Sequence, residues 1–432
     1  MAKVENIVFI SLVLDLFGDM SIPFPNPNGF LSRTLWLVST IRGKLYNVSG
    51  NSERWDVVLL GALTLQFIVS PYIGSLSDKH GRKKVLLITM IGNILSALVW
   101  IKSTTFASYM LSRVIGGLSE GNVQLAVAIL SDITTPANRG KALAHVGIAF
   151  AICFCIGPPI GAYFASRPVE LGSSLGLELN VYAAPAILTL VLLLAETLFL
   201  MIALPETRGK AHAPPPAEKT NGANSNGAAN GVDHKPKTSR AKTVEQRITL
   251  LKSLRSLHFL FLGIFSGVEF TLTFLTFDLF DWSNTQNGKL IGSIGIISAL
   301  LQGGYVRRAL SKVGELNMAR RGVSSCAAGL ICLALVPQFT VTRPTAAFRL
   351  LQGAAVCMAF TSATVVNSLT AHASLQCDEA PDADTGKPVD ALSPELAKGR
   401  ALGHFRSTGQ LGRAIGPLLA CASYWTFGPS AT

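Results

Sequence analysis

The chain has 432 residues, enough for two or three soluble domains, yet 14% are charged and 49% are hydrophobic, with a mean hydropathy of +0.42. A water-soluble protein carries about 25% charged residues, so this composition excludes an ordinary soluble globule and makes lipid the expected solvent. The net charge of +12 does not indicate a nucleic-acid partner, because the basic residues fall in short stretches between apolar runs, the pattern of loops that flank membrane spans.

A spanning helix needs about 20 mostly apolar residues. Eleven segments meet or approach this requirement: 4–24, 56–77, 84–102, 106–131, 141–164, 183–204, 256–278, 288–306, 321–337, 344–371 and 401–426. The first begins almost at Met1 and lacks a small-residue cleavage site, so it reads as a retained span and not a removed leader. It holds Asp15 and Asp19, one turn apart and therefore on one face. Asn47-Val48-Ser49, between the first and second spans, is a glycosylation acceptor triplet at Asn47.

Gly74-Ser75-Leu76-Ser77-Asp78-Lys79-His80-Gly81-Arg82-Lys83-Lys84 joins the second and third spans. Gly74 permits close helix contact and Gly81 a tight turn. Asp78 is placed to pair with Arg82 and to meet the positive N-terminus of the eleventh span in one conformation only, a contact that would bias a two-state equilibrium. A plain basic loop would account for the lysines and arginines but not for the embedded acid and the two glycines. The fourth span carries Arg113 and Glu120 and ends at Asp132, just before Pro136 and Arg139. Asp132 would extend a charge chain through Arg82 to Asp78; the alternative is an ordinary helix end with surface charges of little energetic weight. Gly157-Pro158 in the fifth span and Gly416-Pro417 in the eleventh introduce either a kink or close small-residue packing.

The stretch 205–253 is polar, with Pro214, Pro215 and Pro216, a run of Asn, Gly and Ala, and then Lys235, Lys237, Arg240 and Lys242. It has too little apolar surface to offset the entropy of ordering it. The expected organisation is an N-terminal six-helix bundle at 1–207, a disordered cytosolic linker at 208–253 and a C-terminal bundle at 254–432. A second polar loop, 372–400, is acidic and expected to be mobile. Basic residues between the second and third, fourth and fifth, and eighth and ninth spans share one side with the linker, which places that side and the N-terminus in the cytosol.

A charge at the centre of a span costs about 2.5–3.5 kcal/mol on insertion scales and calls for a functional explanation. The candidates are Asp15, Glu120, Glu196 in the sixth span and Glu269 in the seventh, with Arg113, Arg349, Arg406 and Arg413 as partners or as anchors for an anionic substrate. A buried carboxyl titrates closer to neutral pH, which suits proton coupling. Asp15 and Glu269 are the preferred proton carriers and Arg113 their coupling partner, with Glu196 second and Glu120 last. The alternative is that these groups pair only to hold the bundle together.

The two halves repeat. Arg139-Gly140-Lys141-Ala142-Leu143-Ala144-His145 matches Lys398-Gly399-Arg400-Ala401-Leu402-Gly403-His404, and Ile156-Gly157-Pro158 matches Ile415-Gly416-Pro417, at one constant offset (398 − 139 = 417 − 158 = 259). Arg113-Val114-Ile115-Gly116-Gly117 likewise resembles Arg349-Leu350-Leu351-Gln352-Gly353. Similar segments six spans apart in the same orientation imply two parallel six-helix bundles around a central site. The offset also predicts a twelfth span beyond Thr432, so eleven helices are expected here, with the last one missing from an incomplete sequence.

The motif of the second–third loop, Pro205-Glu206-Thr207, the Arg113, Gly117 and Gly121 pattern and Gly157-Pro158-Pro159-Ile160-Gly161-Ala162 together resemble the major facilitator superfamily over essentially the whole chain. The stretches Arg113–Asn122, Phe265–Thr276 and Gln302–Arg308 look most like its eukaryotic tetracycline transporter-like branch. The resemblance implies an all-α membrane protein of the major facilitator fold that exports organic anions and drug-like compounds, with antiport suggested by the fifth-span motif and a locking role for the charges near Asp132. Gradient-independent uniport, or a non-transporting sensor on the same scaffold, stays open. The expected partners are a small organic substrate, protons and the bilayer, with the protein a monomer. No cofactor, metal site, ATP-binding loop or nucleophile–base pair is expected. The seven cysteines lie mostly in apolar runs as buried filler, and the repeat partners His145 and His404 read as helix-start packing residues.

Overall fold

In lipid every backbone N–H and C=O must find its partner within the chain, and long apolar segments meet that demand as helices. The computed structural model describes residues 53–103, 106–165, 183–208, 243–378 and 393–430, and among these there is no strand. The helices are α1 (Glu53–His80), α2 (Arg82–Ile101), α3 (Phe106–Ser119), α4 (Asn122–Ile133), α5 (Pro136–Ala165), α6 (Ala183–Ala203), α7 (Val244–Phe280), α8 (Asn284–Leu300), α9 (Arg307–Val313), α10 (Glu315–Thr340), α11 (Pro344–Leu375) and α12 (Lys398–Phe427). A π-helical turn at Leu301–Val306 joins α8 to α9, and a 3-10 turn at Pro394–Leu396 precedes α12.

The count of eleven helices is corrected to ten. The pairs α3–α4 and α8–α9 each make one span, so the described residues hold ten spanning helical segments, and these map one to one onto the second to eleventh expected spans. The expected first span at 4–24, with Asp15 and Asp19, lies outside the described residues, as do Asn47 and residues 209–242. Seven of the segments are apolar and long enough to cross a membrane on length and composition alone. α12 is not among them, because it carries Ser407, Gln410, Arg406 and Arg413 where it lies between the halves.

Local chemistry sets ends that hydropathy misplaces. α7 begins at Val244, so residues 244–253 are helical and not linker. Thr243 and Gln246 form a reciprocal capping box there, a signature readable in Thr-Val-Glu-Gln that satisfies two orphan N–H donors. Ser283 and Gln286 do the same for α8, after Asp281 turns the chain with φ 53°. The fourth span is broken at Glu120–Gly121, between α3 and α4.

Within the N-terminal half, α2 packs on α3 and α6. Within the C-terminal half, α10 packs on α11 and α7 on α12. The halves meet along two seams, α1 against α12 and α5 against α8, α9 and α11. Glycines make the first seam close: a Cβ at Gly74 would strike the Gly399 carbonyl, and one at Gly403 would strike the Ser70 carbonyl. Gly416 meets the Gly263 carbonyl of α7 in the same way, so the Gly416-Pro417 pair serves close packing. Gly157 and Pro158 lie inside α5.

Candidate functional site

At the loop end between α1 and α2, Gly81 turns the chain with φ 100°, a conformation that glycine adopts without strain. The turn folds Arg82 back over α1. Its guanidinium is 4% exposed and bridges Asp78 at 2.7 Å and Asp132 at 3.0 Å, while also donating to Ser77 Oγ at 2.6 Å. Asp78 spends both oxygens across the seam, accepting from the backbone N–H of Gly399 at 2.9 Å and of Arg400 at 2.8 Å. Those N–H groups belong to the first turn of α12, where unpaired donors and the helix dipole favour an anion. A single carboxylate thus ties the first half to the second half.

A second carboxylate acts within the first half. Glu206, just past α6, accepts from the N–H groups of Arg82 at 2.8 Å and Lys83 at 3.2 Å, which open α2, and from those of Thr207 and Arg208 at 3.1 Å each. Partial burial alone would push this carboxyl up, but the four backbone donors outweigh it and hold it below the usual carboxylate range. Glu206 was legible only as part of Pro-Glu-Thr; its spacing gave no hint of the distant helix it caps.

Arg139 makes the reciprocal tie. It is 2% exposed and reaches from the start of α5 to the C-terminal carbonyls of two helices: Ser131 and Thr134 at the end of α4, at 2.9 and 3.0 Å, and Ser374 at the end of α11, at 3.3 Å. A cation is favoured at both ends by the helix dipole. Asp378 completes its shell at 2.7 Å, and the Asp378 carbonyl accepts from Arg247 at 3.1 Å. Lys398, the repeat partner of Arg139, lies 3.5 Å from Asp132 and 3.7 Å from Asp378. Asp378 lies in the polar loop 372–400 expected to be mobile; α11 runs four residues beyond its expected end, to Leu375, and so brings the following acid to the latch.

Farther along the seam a cavity of about 80 Å³ lies between the halves, walled by Gln124 and Phe150 from the first and by His258, Asn367, Phe405 and Arg406 from the second. His258 stacks on Phe405 at 4.2 Å, and its Nδ1 is buried without a hydrogen-bond partner. Arg406 stands 3.9 Å from Glu120 at the break between α3 and α4, an ion pair across the seam. Arg413 stands 3.6 Å from Glu269, on α7 of its own half. The candidates therefore separate. Arg406 and Arg413 each face an acid. Arg113 does not meet Glu269; its guanidinium packs over the rings of Trp100 at 4.7 Å and Tyr109 at 5.4 Å, a cation–π setting. Arg349 is exposed on α11. Glu196 is fully buried in α6. Among the described residues no group of three His, Cys, Asp or Glu has the geometry to hold a metal.

Residues 8–387 match the family model for the Major Facilitator Superfamily. The chain is 33% identical over 395 residues to human major facilitator superfamily domain-containing protein 10, covering 88% of this chain and 76% of that protein, and 23% identical over 309 residues to the class H tetracycline resistance protein of Pasteurella multocida, covering 71% and 70%. Its structure is similar to the crystal structure of the human organic anion transporter MFSD10 (TETRAN), with a TM-score of 0.68 and 26% identity over 100% of this chain and 95% of that one. A bacterial homologue of the iron transporter ferroportin in its outward-facing state shares the fold at a TM-score of 0.57 and 14% identity, over 98% of this chain and 92% of that one. With the repeated halves, the glycine-lined seams and these matches together, the chain belongs to the major facilitator superfamily, as an integral multi-pass membrane transporter.

Proposed function

We propose that this protein is a proton-coupled secondary transporter that carries small organic anions by alternating access. The observation that carries the reading is the reciprocal tie at one end of the seam: Asp78 on the first turn of α12, and Arg139 on Asp378 and the last turn of α11. Gly74, Gly81, Arg82 and Asp132 position the first tie. Both ties must open for that end to admit a substrate, and they can close only when the halves approach, so they bias one of two states. By the positive-inside rule this is the cytosolic end. Beyond the latch, Arg406 supplies a cation at the small cavity with aromatic and amide walls; its chemistry suits an anionic group, and its volume of about 80 Å³ would have to grow as the halves part to take a whole organic anion. The name of the human structural neighbour supports the anionic class. The carboxyl–arginine pairs inside the spans support proton coupling, and the antiport sense rests on the Gly157-Pro158 motif.

Purified protein in proteoliposomes, loaded with radiolabelled benzenesulfonate under an imposed pH gradient, tests this. Flux that follows the gradient and collapses with an uncoupler is the expected result. Flux that ignores the gradient would make the protein a uniporter, and saturable binding without flux would make it a sensor.

A further inference from the structure

α7 and α12 run side by side in the same direction, and their contacts set the register. A Cβ at Gly416 would strike the Gly263 carbonyl, one at Gly412 the Phe259 carbonyl and one at Gly409 the His258 ring, and His258 stacks on Phe405. Followed one turn back toward the start of both helices, this register brings Arg255 of α7 to the first turns of α12, which carry Arg400 and His404. The charges agree with it. Arg255 lies within electrostatic range of Cys377, Glu395 and Arg400, and His404 within range of Arg255, Arg400 and Glu395. Two guanidinium groups and an imidazole therefore gather at one spot, with one carboxylate, Glu395, among them. Arg255 is half-buried and Arg400 exposed, so an anion reaches the spot from water or from the headgroup layer.

These charges stand apart from the latch. Arg82, Arg139 and Lys398 each meet Asp78, Asp132 or Asp378, and Arg247 donates to the Asp378 carbonyl. No hydrogen bond or ion pair joins the side chain of Arg255, Arg400 or His404 to another described residue, and the Arg255 Nε is buried without an acceptor. The backbone donors of the first α12 turn are not open to a ligand, because Asp78 occupies the N–H groups of Gly399 and Arg400. Recognition therefore falls to the side chains. A half-buried guanidinium without an oxygen partner is costly, and a second one nearby repels it. Relief requires an anion with several acceptor oxygens and more than one charge. A phosphomonoester has three such oxygens and a charge of about −1.5 to −2 at pH 7, and the guanidinium fork matches it bidentately. We propose that Arg255, Arg400 and His404 form a phosphate-binding site at the cytosolic end of α7 and α12. The phosphate is the headgroup of an anionic phospholipid, which the cytosolic leaflet offers to basic segments at its surface, or a free phosphate group. Because Arg400 gives its backbone N–H to Asp78, the ligand sits beside the latch. The site is independent of the transport reading.

Binding of inorganic phosphate and of dioctanoyl phosphatidic acid to the detergent-solubilised protein tests the proposal, with dioctanoyl phosphatidylcholine as the zwitterionic control. At least one phosphate probe should bind saturably and about tenfold or more tightly than phosphatidylcholine, the weight of one charge-assisted contact. Arg255→Gln and Arg400→Gln should each weaken that binding about tenfold or more, and His404→Gln should weaken it less than either. Arg400→Gln keeps the backbone N–H that Asp78 uses. Arg320→Gln, which removes an exposed charge of α10 outside the cluster, should change binding less than about twofold. Phosphatidic acid binding about tenfold more tightly than inorganic phosphate assigns the site to a lipid headgroup; otherwise it belongs to free phosphate. Equal losses in Arg320→Gln and Arg400→Gln would reveal diffuse surface charge and overturn the proposal. So would phosphatidylcholine binding as tightly as both phosphate probes, or no binding of either probe. Arg400 is on the surface, so its variant decides the matter even if Arg255→Gln fails to fold. Benzenesulfonate flux is a separate readout: its absence removes the transport reading and leaves this site standing.

Discussion

Arg139-Gly140-Lys141 and Lys398-Gly399-Arg400 start α5 and α12 with nearly the same residues, yet the two starts are held differently. The first turn of α12 receives the Asp78 carboxylate on two N–H groups. Gly140 of α5 instead faces the Leu310 side chain, with Glu315 Oε1 3.9 Å from where a Cβ would stand. The loops that serve them share a backbone: Gly81 has φ 100°, ψ 151° and Gly314 has φ 82°, ψ 153°. They differ in chemistry, because Ser311 and Glu315 stand at the places of Asp78 and Arg82 relative to that glycine. The duplicated fold keeps its turn in both halves and its anion–helix contact in one. One seam is closed by a charge on a helix end, the other by apolar packing beside Arg139, whose charge is directed to Asp378.

The comparison is broken first at the glycines. Gly399→Ala should reduce benzenesulfonate flux in proteoliposomes more than tenfold, because its new methyl meets the Gly74 carbonyl, the Arg82 guanidinium and Asp78 together. Gly140→Ala meets the mobile end of Leu310 and should change flux less than about twofold, since a side-chain terminus yields where backbone does not. Equal losses would erase the proposed difference between the seams.

Asp78→Asn should come next. It removes the charge from Arg82 and from the α12 N-terminus, and hydrogen bonds to charged groups contribute about 1.5–3 kcal/mol each. The closed population should fall about tenfold or more, read as alkylation of a cysteine placed at position 400. Unchanged alkylation would show that the tie carries no bias.

Glu206→Gln should act on stability and leave the seam alone, lowering it by about 1 kcal/mol, the usual weight of a helix N-terminal cap. The pH dependence has a definite sign. The native carboxyl is held below its ordinary value of 4.5, so its contribution is complete above that value and is lost as pH falls through the lower native one. Thermal unfolding should show this acid-side loss in the wild type and not in Glu206→Gln.

The smallest effect belongs to Lys398→Ala, whose contacts at 3.5 and 3.7 Å resemble partly exposed ion pairs worth less than about 1 kcal/mol. A loss as large as that of Asp78→Asn would move the centre of the latch to Lys398.

Legibility followed the range of the interaction. The loop glycines and the acid of the Gly74–Lys84 motif are readable because their partners within the turn lie a few residues away. The capping boxes at Thr243 and Ser283 were equally local but were overridden by hydropathy, which marks where a helix enters apolar surroundings and not where its hydrogen bonding starts. Asp378 and Glu206 were not legible as contacts. Their partners, Arg139 and the first turn of α2, are distant in sequence, and nothing in a carboxylate's neighbours states which helix end it will meet. Arg113 shows the converse: a buried charge called for an acid, and the fold supplied two aromatic faces.

By itself the sequence determined that this chain lives in lipid, that it is helical and that its halves are copies, because hydropathy, span length and repeat offset are properties of the chain read in order. Only the tertiary structure decided that the fourth span breaks at Glu120, that Arg406 faces that break, and that one carboxylate and one guanidinium close opposite sides of a single end. Those outcomes depend on which helix ends come within about 3–4 Å of each other, the distance at which charge-assisted contacts acquire strength.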